Sequence, residues 1–235
     1  MEKNDNVVNM KSYYLFAPPE SRDQLADFGK RFAQWERIPC PISTEHLAKQ
    51  RRSGTLHHFV KHNSRDELII WGQEIAVHWE ALRRIEAEGF TGFRTQEAKV
   101  TFRDGVTSDE YREFIVTGWA GVSPPESGVH VLESCSACKW KNYSPITNFE
   151  KIIDWTQWTG EDFFIVWPFS GHKLCTKRVA DWLKSSGLRS FAIEIPFERE
   201  RRYRFTMDAG FPRGPLSEDL PEDLAIKYGR LLGLE

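Results

Sequence analysis

Two stretches of this chain carry the same outline, and that outline limits the folds open to it. ELIIWGQEIAVHWEALRRIEAEGFTGFRTQEAKVTF, within residues 66–102, runs from an apolar strand ending at Trp71 through a helix to Gly89 and Phe90, then to Phe93 and a second strand. DFFIVWPFSGHKLCTKRVADWLKSSGLRSFAIEIPF, within 161–197, runs from an apolar strand ending at Trp167 through a helix to Gly187 and Leu188, then to Phe191 and a strand. Both units place strand, Trp, helix, Gly, an apolar residue, two further residues and Phe in that order.

Each helix is amphipathic and needs a sheet to lie on. In the first, Ile75, Trp79, Leu82 and Ile85 recur at three- and four-residue spacing and leave Glu80, Arg83, Arg84 and Glu88 outside. Gly89 is placed to end it with positive φ. In the second, Thr176 is positioned as N-cap, Val179, Trp182 and Leu183 form the inner stripe, and Gly187 closes it. Strands are expected at KSYYLF (11–16), LIIW (68–71), AKVTF (98–102), REFIVTGW (112–119), FFIVW (163–167) and FAIEIPF (191–197), with DGVTSDE (104–110) as a turn and GVSPPESG (121–128) as a loop. The pattern predicts an α+β fold: two related strand-helix-strand lobes sharing mixed or antiparallel sheet.

A chain of 235 residues can bury a sizeable core, and nine Trp and sixteen Phe give it large side chains to bury. The polar residues 1–10 are expected to be disordered, residues 11–197 to form the domain, and 198–235 to be a C-terminal extension with a short helix in EDLAIKYGRLLG. The formal net charge of −2 supplies no global field toward nucleic acid or an anionic membrane. There is neither an apolar leader nor a run approaching the roughly 20 apolar residues of a membrane span, so a cytoplasmic setting is expected. Thiols there stay free or bind metal more often than they pair.

The chain has four cysteines. Cys135 and Cys138, in LESCSACKWKNYS, have the spacing of one edge of a tetrahedral zinc site, and such a site requires a second edge. The candidate is IPCPIS (38–43), where Cys40 is followed by Ser43 in place of a second thiol. His46 and Cys175 are further donors, neither at the usual spacing from Cys40. The candidate metal residues are therefore Cys40, Cys135 and Cys138, with a buried, metal-free thiol cluster the favoured reading and zinc the alternative.

No catalytic constellation emerges. The residues after Cys138 lack the helical stripe of a thioredoxin-like site. HHFVKH sets His58 and His62 four apart without the Glu of a zinc-protease helix and reads as a polar loop or helix face; FSGHKLC gathers Ser170, His172 and Cys175 without a nucleophile elbow and reads as a polar turn before the second helix. The basic run ERERRYRF (198–205) reads as a solvated strand edge, and the Trp-rich DWTQWTGEDFF (154–164) as core.

The order of these features, an N-terminal strand, a CPxC-like turn at Cys40, a strand-helix unit ending LRRIEAEGFTGFR, a CxxC turn, and TGEDFFIVWP leading to TKRVADWLKSSGLRSFAIEI, is similar to the myxobacterial double-CXXCG motif family, over about residues 11–197. Those proteins resemble immunity proteins of bacterial polymorphic toxin systems. Two departures stand out: Lys139 occupies the place of the glycine that follows each cysteine pair in the family, and Ser43 that of the first pair's second cysteine. The resemblance implies a non-catalytic immunity protein that binds and neutralises a cognate toxin protein, with residue 40 brought near residue 135 as a degenerate, zinc-ribbon-like clip. The alternative is a zinc-binding adaptor or nucleic-acid-binding protein.

Overall fold

The computed structural model describes residues 13–17, 35–44, 46, 49–52, 54–71, 74–189, 191–194, 211–213 and 222–232. The polar start (1–10), the basic run (198–205) and the end of the FAIEIPF strand lie outside the described residues.

The fold is α+β, with mixed sheets. A hairpin of β5 (Leu68–Trp71) and β6 (Glu74–His78) leads into α1 (Trp79–Ala87) and then β7 (Phe93–Thr101). A second unit has the same order of elements: β13 (Phe163–Trp167) and β14 (Lys173–Thr176) lead into α2 (Lys177–Ser186) and β15 (Ala192–Glu194). Each unit admits a strand from elsewhere between its hairpin and its last strand. In the first it is β9 (Tyr111–Val116), antiparallel to β6 and β7; in the second it is β1 (Tyr13–Ala17), antiparallel to β14 and β15. The first sheet runs β4–β7–β9–β6–β5 and the second β10–β13–β14–β1–β15, where β4 is Leu56–Phe59 and β10 is Gly118–Val122. β4 pairs parallel to β7, and β10 parallel to β13.

The main core lies between the sheets and the helices. Phe163 is its hub: its ring meets those of Phe16, Phe90, Phe93 and Phe114 with centroids 5.0–6.2 Å apart and steep interplanar angles, contacts of about 1 kcal/mol each beyond burial. Every residue of β13 is buried, since Phe164 and Val166 face a second core with Leu15, Ile152 and Ile153. The backbone packs so closely around Phe163 that a Cβ on Gly92 or Gly118 would fall 2.0 or 2.1 Å from the Phe163 carbonyl oxygen.

Four sequence expectations need correction. The first helix begins at Trp79, because Ile75 belongs to β6; a short apolar run fits strand and helix periods alike. His78 caps the helix, its Nδ1 accepting the Glu80 N–H, and Trp79 is 36 % exposed beneath the Arg83 guanidinium. REFIVTGW is two strands, because the Thr117 and Gly118 amides both donate to the Gly92 carbonyl and redirect the chain from β9 into β10. The stretch 104–110 contains a short strand, β8 (Thr107–Ser108), paired with β7. HHFVKH is neither helix nor open loop at its start, since His57 and His58 belong to β4, with His58 buried. Gly89 and Gly187 take the expected left-handed conformation, and Trp155 and Trp158 pack against the second core.

Beyond residue 198, β16 (Phe211–Arg213) pairs with β12 (Lys141–Tyr143), and α3 (Glu222–Leu232) inserts Ala225 and Tyr228 into the main core. Tyr228 stacks on Trp119, centroids 4.7 Å apart at 11°.

Candidate metal centre

Two hairpin loops build the candidate site. The first joins β2 (Trp35–Ile38) to β3 (Lys49–Arg52) and carries Cys40 and His46; the second joins β11 (Val131–Ser134) to β12 and carries Cys135 and Cys138. The second loop is a tight knuckle: the Cys135 amide donates to the Trp140 carbonyl at 2.7 Å, and the Lys139 amide to the Cys135 carbonyl at 2.9 Å. Closing it requires a left-handed residue at 139, and Lys139 has φ 61°. That is the conformation glycine adopts at no steric cost, so Lys139 fills the turn at a cost on the order of 1 kcal/mol.

The four side chains converge. Cys40 Sγ lies 3.8 Å from Cys135 Sγ, Cys138 Sγ lies 3.8 Å from His46 Nδ1, and all four donor atoms fall within 4.8 Å of one another. The expectation that residue 40 lies near residue 135 is met. The thiols are 9 %, 4 % and 7 % exposed at Cys40, Cys135 and Cys138, and they form a small cluster of their own, apart from the main core, with Trp140 packed against it. The Trp140 indole stacks on the His46 ring, centroids 4.4 Å apart at 15°, which orients the imidazole.

The electrostatics divide the thiols. Desolvation pushes Cys40 up, but the Ile42 and Ser43 amides, the His46 side chain and Cys138 together hold it down at about 6. Cys135 is lowered chiefly by the Cys138 amide. Cys138 is pushed up to about 11 by desolvation, reinforced by its two neighbouring sulfurs. His46 is raised, first by its hydrogen bond to Cys40.

This donor set suits a tetrahedral soft cation. Zn–S bonds of about 2.3 Å at tetrahedral angles give a sulfur–sulfur edge of about 3.8 Å, the distance between Cys40 and Cys135. Three thiolates and one imidazole are a common structural zinc set.

His46, named from the sequence only as a further donor at an unusual spacing and left out of the candidate set, supplies the fourth corner. It stands six places after Cys40, outside the short spacing of a chelating turn, and the loop's path back toward Cys138 compensates for Ser43. Cys175 takes no part: it is fully buried in the main core, and burial drives its thiol upward. Ser170 and His172 sit in the turn before β14, and His62 lies 3.9 Å from Asp66 in another turn. No family model and no curated protein matches the chain. No helix among the described residues is long and apolar enough to cross a membrane.

Proposed function

We propose that Cys40, His46, Cys135 and Cys138 hold one zinc ion as a structural clip, and that the protein is a non-catalytic immunity protein that binds and neutralises a cognate toxin protein in the cytoplasm. The closed donor set carries the first part. Four side chains from two hairpins would fill a tetrahedral shell and leave no position for water or substrate, as structural sites do and catalytic ones do not. The ion would tie the 39–46 loop to the 135–138 knuckle.

The similarity of the strand, helix and cysteine order to the double-CXXCG family supports the second part. So does the parallel between β5–β6–α1–β7 and β13–β14–α2–β15, which we read as two related lobes. A toxin inhibitor works by a shaped surface with aromatic and Arg anchors and requires no reactive group.

The deciding experiment co-expresses this protein with the toxin domain encoded beside its gene. Rescue of growth, together with a co-purifying complex, is the expected result. An adjacent gene with no toxin activity, or toxicity undiminished by this protein, sinks the immunity reading. Salt-sensitive nucleic-acid binding by the zinc-loaded protein would put the adaptor reading in its place.

A further inference from the structure

We propose that Cys40 and Cys135 form a site of reversible oxidation, at which a peroxide converts the metal clip into a disulfide across the same two hairpins. This rests on the zinc reading above. Cys40 and Cys135 belong to opposite loops, 95 residues apart in sequence, and their sulfurs stand 3.8 Å apart. A disulfide requires about 2.05 Å, so the two must close by less than about 2 Å.

The two loops expose their cysteines differently. Cys135 is pinned from both sides by its amide to Trp140 and its carbonyl to Lys139. Cys40 sits between Pro39 and Pro41, both exposed, and is followed by Ile42, which is 68 % exposed. Cys40 is also the most exposed of the three thiols, at 9 % against 4 % and 7 %, so it is the first to meet a small oxidant. The cluster lies apart from the main core, so this closure leaves the packing around Phe163 untouched.

The chemistry balances. The Cys40 thiolate attacks the O–O bond of hydrogen peroxide, giving a sulfenic acid and hydroxide. The Cys135 thiolate then attacks that sulfur, forming the S–S bond and expelling a second hydroxide. Two sulfurs lose two electrons in total, the peroxide gains them, and two protons from solvent turn the hydroxides into water. Cys138 and His46 alone are two donors in place of four, so zinc leaves. The tie between the hairpins survives as a covalent bond, whereas a disulfide within the CxxC turn would sever it.

The test treats the full-length, zinc-loaded protein with hydrogen peroxide and follows three signals: zinc release with a chelating dye, thiols titrated after denaturation, and disulfides mapped by mass spectrometry without reduction. The expected result is one zinc released per chain, thiols falling from four to two, a Cys40–Cys135 crosslink, and reversal by a dithiol. Zinc retained under excess peroxide, a Cys135–Cys138 crosslink, or sulfinic acid without a crosslink each overturns the proposal. Mapping needs no substitution, so variant misfolding does not enter. A zinc count near zero before peroxide sinks the zinc reading instead, and the crosslink map on the same reduced protein then judges the cysteine pair by itself.

Discussion

His46 Nδ1 lies 3.8 Å from Cys138 Sγ across 92 residues of sequence, and the flat face of Trp140 covers the same imidazole. The fourth corner of the cluster is thus built from the side the blunted CPIS turn leaves open. Structural zinc sites contribute about 10–16 kcal/mol in total, or roughly 3 kcal/mol per ligand. His46→Ala should therefore weaken zinc by about 100-fold in competition with a chelating dye, and His46→Cys should restore most of it. Equal affinities for wild type and His46→Ala would remove His46 from the ligand set.

The pH dependence of zinc binding follows from the unequal thiols. Zinc binds thiolate, so a thiol still protonated in the metal-free protein must release its proton, and affinity rises with pH until that thiol ionises unaided. Cys138, pushed up to about 11, competes across the whole neutral range; Cys40, held at about 6, has already ionised above pH 7. Between pH 7 and 8 Cys138 should therefore raise the logarithm of the affinity by roughly one per pH unit, and Cys40 should add nothing. It should steepen below about 6, where Cys40 also takes up a proton. Three ordinary thiols near 8.5 would give a slope approaching three, and that slope would contradict the division of roles drawn here.

Much of this site was legible from residues alone. The CxxC spacing locates one jaw, CPIS locates the other, and pairing the two by order along the chain brings Cys40 to Cys135. His46 was legible only as one further donor among two, because its choice over Cys175 depends on loop packing that spacing does not encode. The fold divides similarly. Gly89 and Gly187 announce helix ends through a local conformational need that tertiary structure does not override. Ile75 announces nothing decisive: in EIAVH it satisfies both periods, and only pairing with β5 and β9 settles it as strand. The strand break at Thr117 was equally hidden, since its cause is the Gly92 carbonyl, 25 residues earlier.

Lys139 offers a test of strain. With φ at 61° it occupies a conformation that disfavours any Cβ. Lys139→Gly should raise stability by about 0.5–1 kcal/mol, the relief of left-handed strain less the added freedom of the unfolded glycine. Chemical denaturation of the zinc-loaded protein measures this, with an unchanged zinc stoichiometry as control. Lys139→Ala keeps the Cβ and should gain nothing. A gain from Ala equal to that from Gly would mean that the lysine side chain, rather than its backbone, carries the cost.

Asp162, which is 8 % exposed, links the start of β13 to the segment between α1 and β7. Its Oδ2 accepts from the Thr91 amide at 3.1 Å and the Thr91 hydroxyl at 3.3 Å, and its Oδ1 from the Thr176 hydroxyl at 3.1 Å. Arg178 adds a contact at 3.0 Å while lying over the Phe90 ring. The Arg178 side chain is 54 % exposed, so solvent screens its charge, and removing it should cost less than about 1 kcal/mol. Asp162→Ala is different in kind, because it takes the acceptor from the Thr91 amide and two hydroxyls, with Thr91 exposed and Thr176 half-buried so that water replaces part of it. Its expected cost is about 1–2 kcal/mol, against a smaller loss for Asp162→Asn, whose amide oxygen keeps part of the set. Urea denaturation of Asp162→Ala, Asp162→Asn and Arg178→Ala separates these terms. If Arg178→Ala costs as much as Asp162→Ala, the ion pair and not the threonine contacts is what makes Asp162 stabilising.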